Sequence, residues 1–331
     1  VNPADNSVFI CSSNGTIQIH NSDGHWKYVT DILSAKFPDP LITDIIFDND
    51  TAYISGGFGL AKFNLKELVF IETISKFGNL NTGIRVNDIH FLNGYLWVAT
   101  DEGLARLKIG NNLANPLAWD IFNMQNGLNE KKVKYLTDFN DSLYLATDKR
   151  IYKFDNGSLS TLISVADYEN ITGILNLNGN LFYSTNLDVY NSAKIPLAFS
   201  NYRRINAIKN YGSDKIICLF QYWGFSIFDN SIEKNILPNT ARSNSFVNLD
   251  VDSKGRVWVA TRPKNEANGQ GFMMFDGINW HNFNSLTDDK INNWAMKIKA
   301  MSNGDIYVST WGGGLLKLQE AEINIEPKFI I

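Results

Sequence analysis

The 331-residue chain has few residues that bind metals or form disulfides: two cysteines and four histidines. Cys11 and Cys218 are far apart and each lies inside an apolar run, where free cysteine is commonly buried. The histidines fall in neither the HxH nor the HExxH spacing of zinc sites. We therefore expect no metal and no cofactor, and the cysteines indicate no redox compartment.

The chain also lacks an excess of positive charge and a long hydrophobic run. Its net charge of −4 and pI near 5.6 argue against a nucleic-acid-binding surface. No window approaches ~18 apolar residues, so no transmembrane segment is predicted. No signal peptide is visible, and the abrupt opening VNPADNS favours a fragment of a longer, multi-domain protein.

Motifs of catalysis are missing as well. The sequence contains no GxSxG, no CxxC and no glycine-rich loop that opens a helix. Gly312-Gly313-Gly314 is predicted to form a turn between strands. D252SKGRVW lacks the residue order of a sialidase Asp-box, so Asp252 and Gly255 are also predicted to form a turn. We therefore predict that the protein is not an enzyme.

The sequence does contain a repeat, organised around Val86–Leu107, which predicts three short strands joined by tight turns. Eight copies of its middle strand recur at intervals of roughly 35–50 residues. Seven copies carry an aromatic residue at the second position: Phe9, Tyr53, Trp97, Tyr144, Phe182, Trp258 and Tyr307. Six carry a small residue two places on: Ser55, Ala99, Ala146, Ser184, Ala260 and Ser309. This alternation of large and small residues favours sheets packed face to face.

The repeat predicts an all-β protein, a β-propeller of four-stranded antiparallel blades. The first of the eight units lacks its inner strand, because only VNPADNS precedes its middle strand. Seven blades plus leftover strands are favoured, and eight blades are the alternative. We expect residues 1–331 to form a single propeller domain.

Hairpins that follow the middle strands are the predicted binding surface, since they emerge on one face of a propeller. They carry Phe58, Tyr222, Trp223, Arg262 and Trp311, which are residue types enriched at binding hot spots. The alternative is that Trp223 and Trp311 pack sideways against adjacent blades.

The pattern around W97VATDEGLARL resembles the two-component-regulator propeller repeat. Residues 40–122, with AYISGGFGL, IRVNDIHFLNG and NLANPLAW, are similar to the N-terminal propeller of the PorZ family of type IX secretion components. This resemblance implies an exported, non-enzymatic protein of the outer membrane or cell surface. The implied partners are the sortase-like protease PorU, the outer-membrane barrel PorV, PorQ and anionic lipopolysaccharide.

The repeat is also typical of a second class of protein. It resembles the periplasmic sensor propellers of hybrid two-component histidine kinases, which would detect a ligand such as an oligosaccharide. We keep this sensor function as the alternative hypothesis.

Overall fold

The computed structural model describes residues 1–197, 204–221, 224–229, 232–236, 239–243, 245–262, 270–285 and 287–319. These residues form eight antiparallel sheets of three or four strands, one for each repeat unit. The chain divides into two compact units, Val1–Ile236 and Leu237–Ile331. The prediction of an all-β fold built from propeller blades is confirmed, and the number of blades in a closed ring stays a prediction.

The first unit contains six sheets, with strands in chain order across each one. Sheet 1 contains β1 (Val8–Cys11), β2 (Ile17–His20) and β3 (Trp26–Val29). Sheet 2 contains β4 (Ile42–Asp48), β5 (Thr51–Gly56), β6 (Gly59–Asn64) and β7 (Val69–Ile74). Sheet 3 contains β8 (Val86–Leu92), β9 (Tyr95–Thr100), β10 (Gly103–Lys108) and β11 (Trp119–Phe122).

The remaining sheets of the first unit repeat the arrangement. Sheet 4 contains β12 (Tyr135–Phe139), β13 (Ser142–Ala146), β14 (Arg150–Asp155) and β15 (Ser158–Ser164). Sheet 5 contains β16 (Ile171–Leu177), β17 (Asn180–Thr185) and β18 (Val189–Asn191). Sheet 6 contains β19 (Ile205–Tyr211), β20 (Lys215–Phe220), β21 (Phe225–Asp229) and β22 (Ile232–Ile236).

The second unit contains two sheets. Sheet 7 contains β23 (Phe246–Val251), β24 (Val257–Thr261), β25 (Phe272–Phe275) and β26 (Trp280–Phe283). Sheet 8 contains β27 (Ala295–Ala300), β28 (Ile306–Thr310) and β29 (Gly314–Leu318). Helices in the described part of the chain are short: α1 (Asp31–Ser34) and two 3₁₀ turns, Pro116–Ala118 and Met124–Asn126.

The core of the first unit lies between consecutive sheets, and the middle strands show why. On β9, Val98 packs toward sheet 2, whereas Trp97 and Ala99 pack toward sheet 4. Side chains alternate across a strand, so each sheet contributes to two interfaces. The large residue at the second position and the small residue two places on therefore interlock with the next sheet, as the sequence pattern predicted.

Turn residues fix the registers of these sheets. Asn93 and Gly94 have φ values of 51° and 78°, the left-handed conformation that a two-residue hairpin between β8 and β9 requires. Asp252 closes the turn between β23 and β24, as predicted, because its Oδ1 accepts from the N–H groups of Lys254 and Arg256. Its Oδ2 accepts from the Trp258 indole at 2.9 Å.

A bulge near the start of the inner strands places a polar side chain where it can bond to the next inner strand. In sheets 2 and 3 the pairing register shifts around Thr43 and Asn87. The Thr43 hydroxyl donates to the Val86 carbonyl at 2.7 Å, and the Asn87 amide donates to the Val133 carbonyl at 2.8 Å. Each of these residues thereby joins its own inner strand to the start of the next, which fixes the spacing of neighbouring sheets.

Candidate functional site

Among the described residues, the predicted binding residues Phe58, Arg262 and Trp311 lie at the turns that follow the middle strands, and they differ in burial. Phe58 is only 4% exposed, and its ring centroid lies 5.5 Å from that of Phe37. The Gly56-Gly57 turn permits this, since a Cβ on Gly56 would lie 2.5 Å from the Phe58 ring. Phe58 thus belongs to the core between sheets 1 and 2 rather than to an exposed surface.

Trp311, another of the predicted binding residues, faces solvent, with 68% of its surface exposed. Its backbone N–H donates to the Trp294 carbonyl at 2.9 Å, which fixes the turn at its root while the indole projects outward. Arg262 holds the equivalent place in sheet 7 and is also exposed. Tyr222 and Trp223 lie outside the described residues.

One surface of sheet 8, the sheet whose β28–β29 turn carries Trp311, also carries lysines. Lys297, Ser309 and Leu315 are aligned across the three strands, as are Lys299, Tyr307 and Lys317. Residues two apart on a strand share a face, so both rows lie on the side opposite the buried Ile298 and Val308. We call this surface the lysine face: Lys297, Lys299, Tyr307, Ser309, Leu315 and Lys317.

The charges of the lysine face remain accessible. Lys299 and Lys317 pair with Asp250 and Asp305 at 2.8 and 2.9 Å, yet the two lysine side chains are 64% and 41% exposed. The hydrogen bond with Asp305 raises the pKa of Lys317, which therefore stays charged at neutral pH. Exposed ion pairs contribute little free energy, so an anionic ligand can compete for these lysines.

The turns of the first unit differ from the lysine face, because several of their charged side chains contact the neighbouring sheet. Asp39 pairs with Arg85 at 3.0 Å, and Asp101 pairs with Lys132 at 2.9 Å. Lys149, another hairpin residue, donates to the Asp167 carbonyl at 2.7 Å. These contacts connect successive sheets.

The inner strands of the first unit hold a cluster of ionisable side chains. Asp44 on β4 and Asp88 on β8 lie close enough for their charges to interact. Burial, together with the charge of Asp44, raises the pKa of Asp88 well above its usual value, and Lys209 opposes the shift. Burial lowers the pKa of His90 despite its 3.2 Å contact with Asp138. Within the described part of the chain, no group of side chains has the arrangement of a metal site.

The lysine face was missed from the sequence, although a signal was present. AMKIKA places Lys297 and Lys299 two residues apart on a single strand, which puts both charges on one side of a sheet. Lys317 could be added only once the pairing of β28 with β29 was known, because register decides which residues align.

Consecutive antiparallel sheets, packed face to face through one repeated pattern, place the fold in the β-propeller class. Residues 2–120 match the family described as the type IX secretion system PorZ N-terminal β-propeller domain. The resemblance to this family that the sequence indicated is confirmed over those residues.

Solved structures are similar in fold to this chain. PorZ from Porphyromonas gingivalis, described as an essential bacterial surface component of the type IX secretion system, matches with a TM-score of 0.70 and 19% identity. The match covers 95% of this chain and 43% of that PorZ chain. The extracellular domain of BT4673 from B. thetaiotaomicron, a two-component system, matches with a TM-score of 0.53 and 12% identity. That match covers 97% of this chain and 58% of the other.

The chain matches no curated protein sequence. No helix among the described residues has both the length and the apolar character needed to cross a bilayer.

Proposed function

We propose that this chain is a non-catalytic propeller module of a type IX secretion complex at the cell surface, where it binds partner proteins and anionic lipopolysaccharide. The observation that carries the proposal is the match of residues 2–120 to the PorZ N-terminal propeller family. The description of PorZ as a bacterial surface component supports an exported location. The proposed protein partners are PorU, PorV and PorQ.

The lysine face is the proposed contact for lipopolysaccharide. Its ammonium groups suit phosphate and carboxylate groups, and Lys297 makes no ion pair within the described residues. Trp311 and Leu315, which are 68% and 66% exposed, supply apolar contact beside these charges. Arg262, Tyr222 and Trp223 remain proposed contributors to binding.

The test is sedimentation of the purified chain with lipopolysaccharide at several salt concentrations. We expect saturable binding that weakens at least about tenfold in Trp311→Ala and in Lys297→Glu and that falls as salt rises. Matched controls are Tyr28→Ala and Lys66→Glu, whose parent side chains are 64% and 69% exposed on the first unit. Equal loss in all four variants, or no binding by the parent chain, would contradict the proposed lipid contact.

The protein partners need a separate measurement. The tagged chain is expressed in a cell with a type IX secretion system, and the material that co-purifies from outer-membrane extracts is identified. Recovery of PorU, PorV or PorQ supports the secretion function. A full gene that encodes a transmembrane segment and a kinase domain would instead favour the sensor hypothesis.

A further inference from the structure

A cavity of about 240 Å³ lies where three turns of the first unit meet. The turns are the one between β2 and β3, the one between β6 and β7, and the turn that leads into β1. Successive turns of an antiparallel sheet lie at opposite ends, so the cavity is at the end of sheet 2 away from Phe58. Its volume is slightly below the ~300–1,000 Å³ of common small-molecule sites and limits an occupant to a small molecule.

One residue of sheet 1 explains why this space is open. In sheet 3 the guanidinium carbon of Arg106 lies 5.4 and 5.7 Å from the ring centroids of Trp97 and Phe154. Ile19 holds the place of Arg106 in sheet 1, since it pairs with Phe9 as Arg106 pairs with Trp97. Isoleucine is shorter than arginine and carries no charge. The space that a cation fills beside Trp97 is therefore open beside Phe9.

The floor of the cavity is apolar. Its side chains belong to, or pack against, the hydrophobic core between sheets 1 and 2, and they are those of Phe9, Ile19, Leu65 and Leu68. Leu68 has a φ of 55°, a left-handed conformation that a leucine rarely adopts. This floor suits an aliphatic group of a ligand.

The walls of the cavity carry charges of both signs. Asp5 Oδ1 accepts hydrogen bonds from the hydroxyl and the N–H of Ser7 at 2.6 and 2.9 Å, and these bonds lower the pKa of Asp5. The hydrogen bond from the N–H of His25, at 3.0 Å, lowers the pKa of Asp23. Both carboxylates are therefore ionised at neutral pH. Lys27 supplies the opposite charge and forms no ion pair within the part of the chain that the structure describes.

We propose that this cavity binds a free α-amino acid with an aliphatic side chain, independently of the lipopolysaccharide contact. The ammonium group of the ligand faces Asp5 and Asp23, and it takes the place beside Phe9 that a guanidinium takes beside Trp97 in sheet 3. The ligand carboxylate faces Lys27, and the ligand side chain lies on the apolar floor. A neutral sugar uses neither charge fully, whereas an amine or a carboxylic acid uses one. An amino acid matches both charges and the floor.

The test is a ligand-observed NMR titration of the purified 331-residue chain with L-leucine at constant low salt. We expect saturable binding, and binding at least about tenfold weaker for two analogues that each lack one charged group. The analogues are isoamylamine, which has no carboxylate, and isocaproate, which has no ammonium group. Asp23→Asn and Lys27→Gln should each weaken leucine binding by a similar factor. Equal binding of leucine and both analogues, or no binding of leucine, would overturn the proposal.

The matched controls are Lys153→Gln and Asp155→Asn, which make the same changes at the end of β14 in sheet 4. They should bind leucine as the parent chain does, and a loss equal to that of the site variants would contradict the assigned cavity. Ile19→Arg introduces the residue type that fills the corresponding space in sheet 3 and should abolish leucine binding. Circular dichroism checks that this variant folds, and the comparison of analogues needs no substitution.

Two further ligands separate the amino acid from related chemistry. Glucose should not bind, and leucinamide, which imitates the N-terminus of a peptide, should bind as weakly as isoamylamine. Binding of either one as tightly as leucine would assign the cavity to a sugar or to a peptide terminus, and the proposal would then be wrong.

Discussion

Asp88 on β8 accepts a hydrogen bond at its Oδ2 from the backbone N–H of Leu136 on β12, at 2.7 Å. The second unit repeats this relationship with a neutral residue. Asn248, at the equivalent place on β23, accepts from the Ile298 N–H at 2.8 Å. The hydrogen bond between neighbouring inner strands therefore needs an acceptor but not a charge. In Asp88 the acceptor is a carboxylate that lies near a second carboxylate, that of Asp44.

This comparison predicts that Asp88→Asn stabilises the first unit at neutral pH. Because the pKa of Asp88 is raised in the fold, its stabilising contribution is complete below the unfolded value and is lost as pH rises through the folded value. The parent chain should thus gain stability as pH falls from about 7 toward about 4. The variant lacks this dependence, so calorimetry should give it the higher Tm at pH ~7 and a similar Tm at pH ~4.

Asp88→Ala is the matched control, since it also removes the charge but leaves the Leu136 N–H without its acceptor. An unpaired buried donor costs about 1–3 kcal/mol, so this variant should be less stable than the asparagine variant at every pH. A higher Tm for alanine than for asparagine would contradict the assigned hydrogen bond.

Asp252→Ala should destabilise the second unit by about 3 kcal/mol, because Arg256 and the indole of Trp258 both lose their acceptor. Trp258 is completely buried, so its indole N–H is left without a partner when the carboxylate is removed. Urea unfolding followed by tryptophan fluorescence measures the loss. Asp23→Ala is the control, since that carboxylate caps an exposed turn and its removal should change the free energy of unfolding by less than about 0.5 kcal/mol.

Arg106→Lys should cost about 1–2 kcal/mol although it keeps the charge. The guanidinium carbon of Arg106 lies 4.7 and 5.1 Å from the ring centroids of Tyr95 and Phe122, in contacts that depend on its planar shape. Its ion pair with Asp120 is exposed on the aspartate side, so Asp120→Ala should cost less than about 1 kcal/mol. Equal losses in the two variants, measured by urea unfolding, would assign the stabilisation to the ion pair.

Alanine substitutions of two aromatic residues at equivalent turns should change the free energy of unfolding by very different amounts. Phe58→Ala removes a buried ring between sheets 1 and 2 and should cost about 3–5 kcal/mol. Trp311→Ala removes an exposed ring and should change stability by less than about 0.5 kcal/mol. Thermal unfolding by circular dichroism checks both values, and a large loss in Trp311→Ala would indicate that its indole packs against the protein.

Much of the architecture could be predicted from the sequence because its signals are local. The alternation of Trp97 and Ala99, and the turn at Asn93-Gly94, depend on strand geometry and on a positive φ, both of which act over a few residues. The lack of an inner strand in the first unit was predicted on the same basis, and sheet 1 has three strands.

Residue type alone could not decide which turn aromatics are exposed. Phe58 and Trp311 follow equivalent strands, but the Gly56-Gly57 turn and the ring of Phe37 bury the first, whereas the second is 68% exposed. The lysine face likewise required the register between three strands.

By itself, the sequence determined the repeat, the strand order within each sheet and the propeller class, because hydrophobic alternation and turn chemistry are short-range properties. Only the tertiary structure decided the proximity of Asp44 and Asp88 and the burial of Phe58. These features arise where strands distant in the chain meet, and there packing and desolvation, rather than local preference, decide the environment of each side chain.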